Sequence, residues 1–277
     1  STSEGASTTF VSPGLINNQN GTGISNSTVF AYRRAAEILT DPLVSNANVI
    51  CIPGIREPLA IDYLLDRVKD DYKRAFVVVD YPHYDASQNR LYDDSTALPD
   101  THWTRLTNDA RGIDNNYAGT YFPDVVVKES NNSAKRINLP ASVAALSALA
   151  YNDKIAYPWF APAGFNRGAL DQVTNVKVRL KTQDRDDLQD SRINPIATFP
   201  REGFVIFGQK TLQQSKSALD RVNVRRMVLE VKRVVADTAL NLVFDANVEA
   251  TWKKFRKTTN ELLAIIKKQA GIEDFRV

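Results

Sequence analysis

Residues 48–80 read NVICIPGIREPLAIDYLLDRVKDDYKRAFVVVD, and this stretch decides the fold class. The short apolar run at 48–52 predicts a buried strand, which the Pro-Gly pair at 53–54 ends. A helix is predicted to begin at Pro58, and a second apolar run at 75–80 is typical of a strand covered on both faces. One face of the predicted helix carries Ile61, Leu64, Leu65 and Val68. Strand, helix and strand at this spacing predict a βαβ unit, so we assign the chain to the α/β class, with a parallel or mixed sheet flanked by helices.

The sequence beyond this unit predicts one long excursion and several further elements. Residues 81–119 are polar and irregular, which indicates a surface segment before the next strand at 125–127. A helix is predicted to begin at Pro140 and to continue to Ala150. The remaining predicted elements are a buried strand at 204–207, a helix at 224–235 and a last helix with Trp252, Phe255, Leu262 and Ile266 on one face.

Composition divides the chain into three parts. Residues 1–28 are rich in Ser, Thr, Asn and Gly, which predicts a flexible or edge N-terminal segment. Residues 181–192 mix both signs of charge, which predicts a solvated connector and a change of domain near residue 190. We therefore predict an α/β body domain at 29–190 and a mixed α+β C-terminal domain at 191–277.

Charge, hydropathy and cysteine content argue against several classes of function. A net charge of +3 on 277 residues is too small for nucleic-acid binding unless it is concentrated on one surface, so no nucleic-acid partner is predicted. A binder that uses the C-terminal lysines and arginines stays a further hypothesis, which requires steep salt dependence. No apolar run approaches the roughly 18 residues needed to cross a bilayer, so no membrane partner is predicted. The single cysteine, Cys51, cannot form an internal disulfide, and its apolar neighbours predict a buried, unreactive thiol.

The best hint of an enzyme lies after the second strand, where Asp80, His83 and Asp85 bring two carboxylates and an imidazole together. The same residue types are common in turns and caps at a strand exit, and we favour that structural interpretation. An α/β hydrolase that uses this loop stays the alternative function. Ser142 lacks a nucleophile elbow, and residues 208–211 lack the upstream glycine of a phosphate-binding loop. Neither Gly-x-Gly-x-x-Gly nor Cys-x-x-Cys occurs in the sequence, so no cofactor and no metal site is predicted.

Several segments, taken in order, resemble the contractile tail sheath family, which is shared by myophages, contractile bacteriocins and related injection machines. In the first two thirds of the chain, the similar segments are Pro53-Gly54, FVVVDYP at 76–82, YFPD at 121–124, LPAS at 139–142 and Trp159 with APAG at 161–164. In the last third they are Asn194 with Pro195-Ile196, Gly203, FGQKTL at 207–212, VNVRR at 222–226, FDAN at 244–247 and Trp252. The chain departs from the family at 208–211, where the family has Gly-Ala-Arg-Thr, and at 244–247, where it has Phe-Glu-Pro-Asn. It therefore resembles a distant member.

The resemblance implies a structural protein and not an enzyme. Sheath subunits assemble as a helical array around an inner tail tube and, triggered from a baseplate, contract to drive the tube through the host envelope. The implied partners are neighbouring sheath subunits, the inner tail tube protein and the baseplate, and no cofactor is implied. The implied location is the virion tail sheath, after assembly in the host cytoplasm.

The family also links its subunits through terminal strands and an arm. The sequence from Ser1 to Val277 does not show these segments. We therefore expect a fragment of a longer subunit that is monomeric in solution.

The aromatic residues and glycines that carry the resemblance are expected to serve packing and backbone geometry. Trp159, Trp252 and Phe207 are predicted to be core aromatics. Gly164 and Gly208 are predicted to permit unusual backbone angles.

The last predicted helix carries the candidate partner-binding site. Glu261 is the only acid between Trp252 and Ala270. If the apolar side chains of this helix pack inward, its basic side chains are left at the surface, although solvated helices commonly carry lysines. The resemblance favours a surface that faces the inner tube, formed by Lys253, Lys254, Arg256, Lys257, Lys267 and Lys268.

Overall fold

A five-stranded sheet lies at the centre of the computed structural model, which describes residues 26–81, 112–129 and 135–277. The described strands are β1 (Val49–Cys51), β2 (Phe76–Asp80), β3 (Ala118–Phe122), β4 (Val125–Lys128), β5 (Arg136–Leu139), β6 (Val173–Val176), β7 (Ile193–Phe199) and β8 (Gly203–Ile206). The described α-helices are α1 (Ser27–Leu39), α2 (Pro58–Asp66), α3 (Ala141–Ile155), α4 (Thr182–Asp190), α5 (Val222–Leu240) and α6 (Glu249–Lys268). The central sheet has the order β1-β2-β3-β7-β8, with its first four strands parallel and β8 antiparallel to β7. The predicted α/β class with a mixed sheet is confirmed.

The predicted βαβ unit is present and forms the middle of the core. Helix α2 has Pro58 in its first turn, as predicted, and a π-helical turn at Arg67–Tyr72 continues it. All five residues of β2 are buried, as expected for a strand covered on both faces. The predicted helix face is also buried, at Ile61, Leu64, Leu65 and Val68.

The strand beside β2 is β3 and not the run at 125–127, so the prediction of the next strand was wrong. Every residue of β3 is buried, and β3 pairs with β2 in parallel. Ala118 and Gly119 have low strand propensity, and the three strand-forming residues after them make too short a run to indicate a strand. A Cβ at Gly119 would lie 3.0 Å from Cζ of Phe76, which shows how closely the strand packs. The predicted excursion ends before Ala118, and its residues 82–111 lie outside the described residues.

The run at 125–127 belongs to a second sheet of three strands. Strand β4 lies between β5 and β6, and both pairings are antiparallel. Helix α3 follows β5 after Pro140, as predicted, and ends at Ile155, about one turn beyond the predicted end at Ala150.

The solvated connector predicted at 181–192 was wrong, because most of it forms α4. Leu188 is fully buried, so one face of this highly charged helix still packs on the core. Strand β7 follows the predicted domain boundary at residue 190, and it pairs with β3, which precedes that boundary. The central sheet therefore contains strands from both predicted domains. The division into 29–190 and 191–277 stays a prediction.

Helices α5 and α6 pack against each other and are joined by residues 241–248. We call residues 222–268 the arm; the name does not refer to the linking arm of the sheath family. A small second core, formed by Trp159, Leu263 and Ile266, holds α6 against the rest of the chain. The Trp159 indole N–H donates to the backbone carbonyl of Gln269 at 3.0 Å, so Trp159 is a core aromatic as predicted. The same prediction for Trp252 was wrong: its side chain is 58% exposed, because it lies towards the end of the arm, away from this small core.

Phe207 is also at the surface, where 39% of it is exposed, so its assignment to the core was wrong. Strand β8 ends at Ile206, and the next side chain points outward into an aromatic group with Phe165 and Phe199. The Arg185 guanidinium lies 5.2 Å from the ring centroid of Phe199 and 5.8 Å from that of Phe207. A cation–π contact therefore covers rings that the core does not reach.

The two glycines have different roles. Gly164 has a φ of +79°, as predicted, which favours glycine. Gly208 does not have a positive φ, so the prediction of an unusual backbone angle there was wrong. Glycine is needed for close packing instead, because a Cβ would lie 2.9 Å from Cδ of Pro195 and 3.1 Å from Cα of Asn194. Cys51 is partly buried and has no disulfide partner.

Candidate functional site

The structure places the whole predicted partner-binding surface on α6. All six of its basic side chains are exposed, and they extend over about four turns of the helix. The buried side of α6 carries Thr259, Leu263 and Ile266, so the basic residues lie where a partner can reach them. The six residues are Lys253, Lys254, Arg256, Lys257, Lys267 and Lys268.

Three of these residues have acidic neighbours on the arm or just after it. Their ion pairs are Lys253 with Glu249 at 2.9 Å, Lys254 with Asp245 at 3.9 Å and Lys267 with Asp274 at 2.9 Å. The hydrogen bond from Lys267 lowers the pKa of Asp274. Exposed pairs of this kind are screened by water and contribute little to stability, so a partner can exchange them at little cost.

The other three basic residues give the surface its net charge. Arg256, Lys257 and Lys268 have no acidic partner within the described parts of the chain. In the described chain the arm therefore presents an excess of positive charge along one helix, which suits an acidic protein surface.

The end of the arm carries exposed apolar side chains that the sequence analysis missed. We call Leu240, Val243, Phe244 and Val248 the arm tip; their exposed fractions are 61%, 61%, 101% and 49%. The signal was present in the sequence, because Val243 and Phe244 fall between two helices, where a turn is usually polar.

A second set of polar residues surrounds the N-terminus of α3, where Pro140 provides no side-chain cap. The backbone N–H of Ala141 donates to Asp124 at 3.0 Å, and that of Ser142 donates to Asp80 at 2.9 Å. Two carboxylates from distant parts of the chain thus satisfy the first two free N–H groups of the helix and oppose its dipole.

Asp80 uses both carboxylate oxygens in hydrogen bonds where the N-terminus of α3 meets the central sheet. Its Oδ1 accepts from the backbone of Ser142, and its Oδ2 accepts from the Ser142 hydroxyl and the backbone of Gly54, both at 2.8 Å. Burial raises the pKa of this carboxyl, while the nearby Arg56 opposes the rise. The predicted role of Asp80 as a cap at a strand exit fits these contacts.

Asp124 forms a buried ion pair with Arg56, with both carboxylate oxygens about 3 Å from Nη2. The Arg56 Nη1 donates to the backbone carbonyl of Tyr81, and the guanidinium lies 4.6 Å from the centroid of the Tyr81 ring. The pair therefore fixes the ends of β2 and β3 against α3.

This geometry does not favour the hydrolase alternative. His83 and Asp85 lie outside the described residues, so the proposed cluster of Asp80, His83 and Asp85 is not tested as a whole. Within the described ranges, no group of His, Cys, Asp and Glu is arranged to hold a metal ion. The described helices also include none that is long and apolar enough to span a membrane.

Comparison with known proteins identifies relatives of the chain, although no family model matches it. The tail sheath protein of Vibrio phage KVP40 is 37% identical over 165 residues, which cover 60% of this chain and 23% of that protein. The tail sheath protein of Enterobacteria phage T4 is 31% identical over 147 residues, which cover 53% of this chain and 22% of that protein. The chain thus spans about a quarter of the length of these relatives.

Solved structures show the same fold. A chain of the sheath complex of the PVC extracellular contractile injection system, in its contracted state, has a TM-score of 0.66 and 20% identity, covering 95% of this chain and 70% of that chain. A chain of the anti-feeding prophage baseplate has a TM-score of 0.65 and 17% identity, covering 90% of this chain and 60% of that chain. The chain is therefore similar in sequence to phage tail sheath proteins over part of their length, and it shares its fold with chains of contractile injection systems.

Proposed function

We propose that the chain is part of a structural subunit of a contractile phage tail sheath. The observation that carries this proposal is its 37% identity to a phage tail sheath protein, joined to a fold shared with a contractile sheath over 95% of its length. The polar residues around Asp80 and Asp124 support a structural role, because they are used to hold α3 against the sheet.

The proposed function follows from the way in which identical subunits assemble. Identical subunits joined by heterologous contacts form rings or open helices, and such a lattice can switch packing as rigid subunits slide and rotate. We propose that the extended sheath surrounds the inner tail tube, is held by a kinetic barrier, and shortens to drive the tube through the host envelope. The subunit then acts by rearranging its contacts and needs no cofactor.

The proposed partners are neighbouring sheath subunits, the inner tail tube protein and the baseplate. Likeness to chains in a sheath complex and in a baseplate supports the first and the last of these. The proposed location is the virion tail, after assembly in the host cytoplasm.

We propose that the basic side of α6 faces the inner tube. The exposure of its six basic residues and the excess positive charge along the helix support this orientation. Many exposed charge pairs of about 0.2 to 1 kcal/mol each can hold a sheath on its tube and still release during contraction.

Reversing three of these charges, in the variant Lys253→Glu, Lys254→Glu and Lys257→Glu, tests the orientation. We expect this variant to fold normally, since all three side chains are exposed, and to bind poorly to tubes polymerised from the tail tube protein of the same phage. Co-sedimentation with tubes measures the binding, and circular dichroism checks the fold.

The matched control reverses three exposed basic residues far from α6 in sequence, Lys128, Lys135 and Arg136 on β4, β5 and the segment before β5. We expect the control to bind tubes as the unmodified chain does. Equal binding by the α6 variant at low and physiological salt would show that this surface does not face the tube.

A further inference from the structure

An open hollow lies between two loops that the proposed function does not use. Residues 161–164 and 207–210 line it, beside the end of α4 and the start of α5, and we call it the loop hollow. Its volume is about 280 Å³. Sites for small-molecule ligands usually measure about 300 to 1,000 Å³, so the loop hollow suits a single amino-acid residue better than a cofactor.

Hydrogen bonds hold the backbone around the loop hollow in place. Asn194, which is fully buried, accepts from the backbone N–H of Lys210 at 2.6 Å and donates to its carbonyl at 2.8 Å. The Gln189 side chain, at the end of α4, donates to the backbone carbonyl of Phe207 at 2.7 Å. The loop hollow is therefore formed before a ligand arrives, and binding needs little ordering of the site.

Two basic side chains line the loop hollow, those of Lys210 and Arg221, and no acidic side chain of the described residues does. Lys210 is half-buried and has no acidic partner in the parts of the chain that the structure describes. Arg221 pairs with Asp220 through Nε at 3.3 Å, so its two Nη groups remain for a ligand. The lining therefore favours an anionic group.

Helix α4 carries acidic residues close by, but none of them lines the loop hollow. Asp184 and Asp187 accept hydrogen bonds at the start of the helix and within it. Asp186 and Asp190 are exposed, and Arg185 on the same helix offsets one of them. Because these charges nearly balance, recognition of an anion depends on direct contact with the two basic side chains and not on long-range attraction.

The other lining groups suit a peptide. Oε1 of Gln209 is buried and has no hydrogen-bond donor in the described chain, so the N–H of a ligand can satisfy it. Ala161, Ala163 and Gly164 have a methyl group or no side chain at all, which lets another backbone approach closely. A carboxylate and an N–H in one small ligand match these groups, and an acidic amino-acid residue has both.

We propose that the loop hollow binds an acidic residue, Asp or Glu, of another protein chain. Lys210 and Arg221 hold its carboxylate through charge-assisted hydrogen bonds, and Gln209 accepts its backbone N–H. The inference goes beyond the proposed function, because it concerns neither α6 nor the inner tube.

N-Acetylglutamate N-methylamide is a small probe that has both groups. When it is titrated into the isotope-labelled chain, we expect the amide NMR signals of Gly164, Gly208 and Lys210 to shift more than those of the second sheet. N-Acetylglutamine N-methylamide has the same shape without the charge. It is expected to bind at least about tenfold more weakly, because it cannot form charge-assisted hydrogen bonds with the two basic side chains.

Two variants remove different properties of the loop hollow. Lys210→Gln with Arg221→Gln removes both lining charges, and Ala161→Leu fills the space without changing the charge. Each is expected to weaken binding of the glutamate probe at least about tenfold. The control, Lys128→Gln with Arg136→Gln, removes an exposed lysine and an exposed arginine from β4 and β5, and it should bind as the unmodified chain does.

Circular dichroism checks that each variant is folded, and Ala161→Leu decides the outcome if the double variant is not. Three results would overturn the proposal: equal binding of the glutamine probe, binding that survives loss of the charges or filling of the space, or equally strong shifts of the same signals by acetate or inorganic phosphate. The last would indicate an adventitious ion only. The assay contains no tubes, so its failure leaves the sheath proposal in place.

Discussion

At the scale of single residues, the buried ion pair of Arg56 and Asp124 is the interaction on which the junction around α3 depends. Both side chains are buried, and Asp124 also accepts the first free N–H of the helix. Removing one partner of a buried pair leaves an uncompensated charge, so Asp124→Ala is expected to lower the free energy of unfolding by about 3 to 5 kcal/mol. Urea denaturation measures the change.

The exposed pair of Lys135 and Glu129, at 3.0 Å, provides the control. Glu129→Ala is expected to change stability by less than about 1 kcal/mol. Equal effects of the two substitutions would show that Asp124 has no special structural role.

Cys51 provides a second test at the residue scale. Burial raises the pKa of its thiol to about 12, so at pH 8 only on the order of one thiol in ten thousand is ionised. We expect the native chain to react with a thiol reagent only slowly between pH 7 and 9, and rapidly once denatured. Fast, pH-independent labelling of the native chain would contradict this environment.

At the scale of elements, the attachment of the arm depends on Trp159. The indole packs on Leu263 and Ile266, in a core that is separate from the main one. Trp159→Ala is therefore expected to speed amide hydrogen exchange in α6 while leaving β2 protected. In Trp159→Phe, which keeps an aromatic ring but loses the hydrogen bond to Gln269, exchange in α6 should be intermediate. Equal acceleration in β2 and α6 would show that the arm and the sheet unfold as one unit.

The elements that the sequence predicts are those with strong apolar patterns. The continuous apolar run at 75–80 matches a strand buried on both faces, and the helix from Pro58 has apolar residues at the spacing of its buried face; both elements are present. Strand β3 has no such pattern, because it begins with Ala118 and Gly119, and Gly119 leaves room for the Phe76 ring beside it. Helix α4 was missed for the related reason that a single buried residue, Leu188, holds a helix that is otherwise polar.

The candidate sites also include features that a sequence pattern reveals and features that it does not. The basic residues of α6 could be located from sequence, because charge on a helix with one apolar face has to lie outside. The exposure of Trp252 could not be predicted from the sequence, since it depends on how far the arm extends from the small core around Trp159. The caps on α3 were equally hidden, because Asp80 and Asp124 reach it from strands far away in sequence.

At the scale of the whole molecule, the protein combines an α/β body with a basic arm. The body supplies a packed sheet, and the arm supplies exposed charge on its side and exposed apolar residues at its tip. The proposed function requires a subunit of this kind, which keeps its internal structure while its contacts change as the lattice contracts.

The most direct test of the central claim is a cryo-EM reconstruction, in the extended state, of the assembly that contains this chain. We predict that the five-stranded sheet and the arm fit density in the sheath layer, with α6 nearest the inner tube. Density for the chain in the tube or the baseplate alone, or its absence from the tail, would contradict the account.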